Sequence, residues 1–168
     1  MPAHENTGKN RLALGAKIVS YDDARQAAKR RLPRMIYDFI DGAAGRETAL
    51  ARNRAGFDAV NLQPRVLRNV TERSLETHLL GQRFDAPFGI APMGMCGLIY
   101  PGADLIMAGQ CTARNIPLGL STAASIPLEN MRQLAGDNAW FQLYASASTK
   151  QTMSFVERAK QAGYQKLI

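Results

Sequence analysis

The chain has 168 residues, 46% of them hydrophobic and 21% charged, the balance of a soluble globular fold long enough to bury a core. Its formal charge of +7 is mostly scattered arginine, with only "KRRLPR" (29–34) clustered, and no basic stripe with interleaved aromatics signals a nucleic-acid partner. A phosphate-bearing ligand or an anionic substrate fits the surplus better. No apolar run reaches the ~20 residues of a membrane span, and the first residues lack the apolar stretch of a secretory signal, so a cytoplasmic protein is expected.

In chain order, residues 1–18 read as a flexible polar tail. "YDDARQAAKRRL" (21–32) predicts a helix capped by Asp22 or Asp23, and Pro33 breaks it or opens the next. "RMIYDFIDGAAG" (34–45) spaces Met35, Ile36, Phe39 and Ile40 helically before glycines end it, and "RETALARNRAGF" (46–57) predicts a third short helix. Residues 58–82 look irregular. From there strands and helices alternate: strand 86–93, helix 103–115, strand 116–122, helix 127–136, strand 139–146, helix 149–163, and an apolar segment, 164–168, that starts another strand.

Such alternation with short connections predicts parallel βαβ units. Without a G-x-G-x-x-G after the first strand, the fold class is α/β of the TIM-barrel type, preceded by short helices, rather than a dinucleotide-binding sheet. A closed barrel takes about 250 residues. Residues 19–168 are therefore read as the N-terminal part of such a domain, reaching only the start of strand 4.

Barrel ligands sit at the C-terminal strand ends. Three of these, "APMGMCG" (91–97), "LSTAAS" (120–125) and "FQLYAS" (141–146), bring a glycine-bearing turn, the hydroxyls of Ser121 and Thr122, and the amide and phenol of Gln142 and Tyr144. Alternation along a strand puts Gln142 and Tyr144 on one face, and a polar pair in an apolar run needs a partner. That partner is a neighbouring side chain, a trapped water or a ligand. Ser and Thr at strand ends equally serve as loop or capping residues, and Met93 and Met95 as core filler. Cys96 and Cys111 lack C-x-x-C spacing and read as buried reduced thiols, and His4 and His78 stand in unrelated contexts, so no metal site is expected.

The stretches "KRRLPRMIYDFIDGAAG", "RNRAGFDAVNLQPRVLRNV", "SLETHLLGQRFDAPFGIAPMGMCGLIYP", "LSTAAS" and "WFQLY" resemble, in order from about Val19 to Ile168, the FMN-dependent α-hydroxy-acid dehydrogenases and oxidases. That family includes glycolate oxidase, mandelate dehydrogenase and flavin-linked L-lactate dehydrogenases, the last being the branch that "SLET…IAPMGMCG" most resembles. The resemblance implies oxidation of an L-2-hydroxy acid to the 2-oxo acid, with FMN as cofactor. It implies oxygen or a membrane quinone or cytochrome as electron acceptor, a homotetramer when intact, and a place in the cytoplasm or on the inner face of the cell membrane.

Carried over by position, Pro92, Met93 and Gly94 match the main-chain contact to FMN. Ser121 matches a hydroxyl ligand of the flavin, Gln142 the amide that bonds its ring, and Tyr144 the phenol that bonds the substrate near its hydroxyl. Phe39 stands where many members carry a tyrosine that helps hold the substrate carboxylate, and the missing hydroxyl removes a bond of about 1.5–3 kcal/mol. Ala123 replaces the tryptophan of glycolate oxidase, which implies a roomier pocket. The family's histidine base, with its aspartate, arginine and lysine, lies in family order beyond residue 168, so no catalytic residue is assigned within this chain, and the isolated piece is expected to be inactive. Alternatives are a catalytically dead remnant, or another phosphate-binding barrel using the same turns.

Overall fold

The computed structural model describes residues 18–168, which fall in two compact units dividing between Val66 and Leu67. His4 and nearly all of the predicted tail lie outside the described residues.

The first unit carries helices α1 (Tyr21–Arg31), α2 (Arg34–Asp41) and α3 (Thr48–Asp58), close to expectation. The cap of α1 is Ser20 rather than Asp22 or Asp23: the Ser20 hydroxyl accepts from the Asp23 amide, and the Asp23 carboxylate accepts from the Ser20 amide. Pro33 separates α1 from α2, whose Asp41 takes a two-pronged bond from Arg25 at 2.6 and 2.8 Å. That guanidinium holds the Asp41 carboxyl below its ordinary range.

In the second unit an antiparallel hairpin, β1 (Thr77–Leu79) and β2 (Gln82–Phe84), occupies part of the stretch expected to be irregular. Its two turn residues, Leu80 and Gly81, both have positive φ, 50° and 78°. Leucine is a poor marker of that geometry, which favours Asn-Gly or Asp-Gly. Parallel strands β3 (Ile90–Met93), β4 (Leu118–Ser121) and β5 (Ala139–Gln142) follow in order, with helices α4 (Cys96–Ile99), α5 (Ala103–Ala113), α6 (Leu128–Ala135) and α7 (Thr149–Gln161) between and after them. The predicted fourth strand begins as a parallel bridge from Phe141 to Leu167, flanked by Phe141 N–H donating to the Lys166 carbonyl at 3.0 Å.

The strands are shorter than expected. β3 starts only at Ile90, three residues after Pro87, which has no donor; Gly89 lies so close to Pro117 that a Cβ there would stand 2.3 Å from its carbonyl oxygen. β5 ends at Gln142, four residues before the predicted end.

Alternation divides the sheet into two faces. Leu118, Leu120, Ala139 and Phe141 point at the helices and make the core with Ala108, Cys111, Leu128, Met131, Ala135 and Ala159. On the other face Trp140 meets the edge of the fully buried Phe84 ring at 6.1 Å. Gln82 bridges Asn138 and Lys166 there at 3.2 and 2.6 Å, so the hairpin covers the N-terminal end of that face.

Cys96 and Cys111 are free and buried, as read from the sequence. Burial raises the pKa of both thiols, and Asp104 adds to the shift at Cys96. Alkylation by iodoacetamide at pH ~8 is expected to be at least about tenfold slower in the folded protein than in urea, since little reactive thiolate is present. Equal rates would show that the core around α5 opens readily.

Candidate functional site

β4 and β5 are in register, Ser121 opposite Gln142. Register partners in a parallel pair project to the same side, so the Ser121 hydroxyl and the Gln142 amide leave the sheet on one face, away from the helix core, at the C-terminal strand ends. Ser121 is 3% exposed, and its oxygen accepts from the Ala123 amide at 3.1 Å. The Gln142 side-chain amide has no hydrogen-bond partner among the described residues.

The turn after β3 lies beside them. Gly94 is in contact with the turn after β4: a Cβ on Gly94 would stand 3.2 Å from the Ala123 Cβ and 3.8 Å from the Ser121 oxygen. The Met95 amide donates to the Ala123 carbonyl at 2.8 Å, and the Gly97 amide donates to the Ser125 hydroxyl at 2.8 Å, lacing the two loops together. Within β3, Pro92 packs over Gly119, where a Cβ would come 2.7 Å from the proline ring. Pro92, Gly94, Ser121 and Gln142 are thus adjacent along one sheet edge. Met93 ends β3 with its side chain partly exposed, beside a register irregularity in the β3–β4 pairing.

Tyr144 lies two residues past the end of β5 and is 64% exposed. Its backbone amide donates to the Thr122 hydroxyl at 3.0 Å, and its phenol has no partner among the described residues. Thr122, whose hydroxyl suits a ligand or a loop or cap role alike, donates it to the Gln142 carbonyl at 2.6 Å. Nothing in the sequence marked that role, because a strand-end threonine serves as cap, ligand or clip alike. Phe39 belongs to the first unit, on α2, with an exposed ring. His78 is on the hairpin, at the end of the sheet away from Ser121 and Gln142. Among the described residues no group of three His, Cys, Asp or Glu side chains could hold a metal ion, and no helix is long and apolar enough to cross a membrane.

A cavity of about 320 Å³ opens beside the same strand tips, lined by Leu120, Ser121, Thr122, Ser125, Phe155 and Arg158 among others. Leu120 and Phe141, which also line it, face the helices, so this space lies on the α7 side of the sheet. Arg158 at its rim is paired with Glu129 at 2.9 and 3.0 Å.

A heterocycle edge needs donors and acceptors without competing partners, and a close main-chain approach. The Ser121 proton, the Gln142 amide and the Gly94 turn fit both needs.

Residues 28–168 match the FMN-dependent dehydrogenase family. The chain is 36% identical over 151 residues to the L-lactate dehydrogenase of Azorhizobium caulinodans, covering 90% of this chain and 40% of that protein. It is 32% identical over 155 residues to the (S)-mandelate dehydrogenase of Pseudomonas putida, covering 92% and 39%. Among solved structures, a variant of an active chimera of (S)-mandelate dehydrogenase superposes with a TM-score of 0.80 at 37% identity, over 87% of this chain and 41% of that one. Mandelate oxidase superposes at 0.81 and 32%, over 90% and 44%. The chain therefore spans about 40% of the length of the curated relatives, and its strand and helix order is that of the N-terminal part of their TIM barrel.

Proposed function

The chain belongs to the FMN-dependent dehydrogenase family, and on that premise we propose that the protein carrying it oxidises an L-2-hydroxy acid to the 2-oxo acid. The observation that supports this reading is the pairing of Ser121 with Gln142 at the strand tips, on one face, with the amide lacking any partner among the described residues. FMN, when bound, supplies the two-electron acceptor. The Ser121 hydroxyl and the Gln142 amide would bond it, and the turn at Pro92, Met93 and Gly94 would offer main-chain contact. Tyr144 offers its phenol to the substrate near the reacting hydroxyl. Phe39 has no hydroxyl, so no bond to the substrate carboxylate is assigned to it. Ala123 leaves room for a side chain larger than that of glycolate, so a lactate-like or mandelate-like acid is the proposed substrate. Oxygen or a membrane quinone or cytochrome takes the electrons, in a homotetramer in the cytoplasm or at the inner face of the membrane.

The test is spectroscopic. The intact purified protein should show flavin absorbance, bleached without oxygen by L-lactate or (S)-mandelate; a colourless protein, or a flavin that neither acid nor glycolate bleaches, would overturn the reading. Preference for glycolate would overturn the pocket argument alone. Tyr144→Phe should lower kcat/KM about tenfold, the worth of one hydrogen bond of about 1–1.5 kcal/mol, and leave FMN affinity unchanged. An unaltered kcat/KM would remove Tyr144 from the site.

A further inference from the structure

The β4–β5 ladder has its last backbone rung at Ser121 and Gln142. The next rung is made by a side chain. Thr122 Oγ1 uses its single proton on the Gln142 carbonyl at 2.6 Å and accepts the Tyr144 amide at 3.0 Å. One hydroxyl thus holds the main chain on both sides of Leu143. The opposite edge of the same segment is tied separately, by the Leu143 amide donating to the Ile168 carbonyl at 2.9 Å. Thr122 is also covalently part of the turn that sets Ser121 and Ala123, whose amide and carbonyl bond the Ser121 hydroxyl and the Met95 amide at 3.1 and 2.8 Å. The phenol of Tyr144 and the amide of Gln142 have no side-chain partners among the described residues, so the backbone between them decides where they point.

We propose that Thr122 is a positioning residue that sets the Gln142 amide and the Tyr144 phenol in fixed relation to Ser121, touching neither flavin nor substrate through its own hydroxyl. The proposal rests on the functional reading of Gln142 and Tyr144 given above. β-Branching suits the task because it restricts χ1. Valine keeps that shape and removes the hydroxyl, orphaning a carbonyl and an amide. Serine keeps the hydroxyl and loses only the methyl group.

The experiment compares Thr122→Val and Thr122→Ser in the intact flavoprotein, beside Gln142→Leu and Tyr144→Phe. FMN dissociation constants come from fluorescence titration of the apoproteins, kcat/KM from turnover of the hydroxy acid, and folding from urea midpoints. Thr122→Val should weaken FMN binding and lower kcat/KM each by about tenfold, as expected when a pair of hydrogen-bonding groups is left unmatched. Thr122→Ser should restore both. Adding Tyr144→Phe to Thr122→Val should lower kcat/KM by much less than it does alone, because the phenol is already displaced. The proposal is overturned if valine matches the parent protein, if valine and serine fall alike, or if only the urea midpoint moves. Silence of both Gln142→Leu and Tyr144→Phe would instead overturn the site reading, and the two failures are told apart by those controls.

Discussion

Replacing Phe141 with alanine should destabilise the protein by about 3–5 kcal/mol, the range for emptying a filled aromatic core position. Phe141 is 1% exposed and stands at the centre of the second unit, its ring 6.3 Å from that of Phe155 and 5.8 Å from that of Tyr164. Phe155 is on α7 and Tyr164 follows it, so the one ring joins β5 to the helix behind it and to the start of the next strand. The strand cannot collapse into the void, since its backbone is tied to β4 on one side and to Lys166 and Leu167 on the other. Tyr164 is held too: its hydroxyl donates to the Leu128 carbonyl at 2.8 Å, and burial pushes its pKa far above the ordinary phenol value. Equilibrium unfolding in urea is the measurement, with Phe141→Leu expected between parent and alanine variant. A loss below about 1 kcal/mol would mean that the segment around Phe141 is not packed as described.

Gln142→Leu should leave folding intact and weaken FMN binding by about 5- to 150-fold, which corresponds to about 1–3 kcal/mol for polar groups left without partners. The contrast with Phe141 follows from the pleat. Adjacent residues of β5 project to opposite faces: one side chain fills the core, while the other meets nothing polar among the described residues. Leucine conserves volume, and the backbone pairing with Ser121 does not depend on the side chain. Fluorescence titration of the apoprotein reads the effect. An affinity within about twofold of the parent, under 0.5 kcal/mol, would remove the amide from the flavin site. A fall in the urea midpoint comparable to that of Phe141→Ala would show that the side chain faces the core instead.

The chain order of strands and helices was legible from residue types, because each βαβ unit carries its own local signals. Apolar runs such as "LGLS" follow directly on a proline, and helices such as α7 open on a serine whose hydroxyl accepts the Gln151 amide. The helix-facing set Leu118, Leu120 and Phe141 follows from alternation once the strands are placed. Strand ends were less legible. "AWFQLYAS" is apolar beyond Gln142, yet the pairing with β4 ends there, while the Leu143 amide still donates to the Ile168 carbonyl. The hairpin at Thr77–Phe84 was hidden by its leucine in a left-handed turn position.

By itself the sequence determined the parallel α/β architecture, the family, and the identities of the polar groups at the strand tips, since these depend on local pattern and motif. Only the tertiary structure decided that Ser121 and Gln142 stand in register on one face, that Tyr144 lies beyond the last β4–β5 rung, and that the Thr122 hydroxyl bonds backbone. The physical reason is common to all three. Register, strand termination and hydroxyl partnership are set by which backbone groups a neighbouring strand leaves unpaired, a non-local property that no single segment carries.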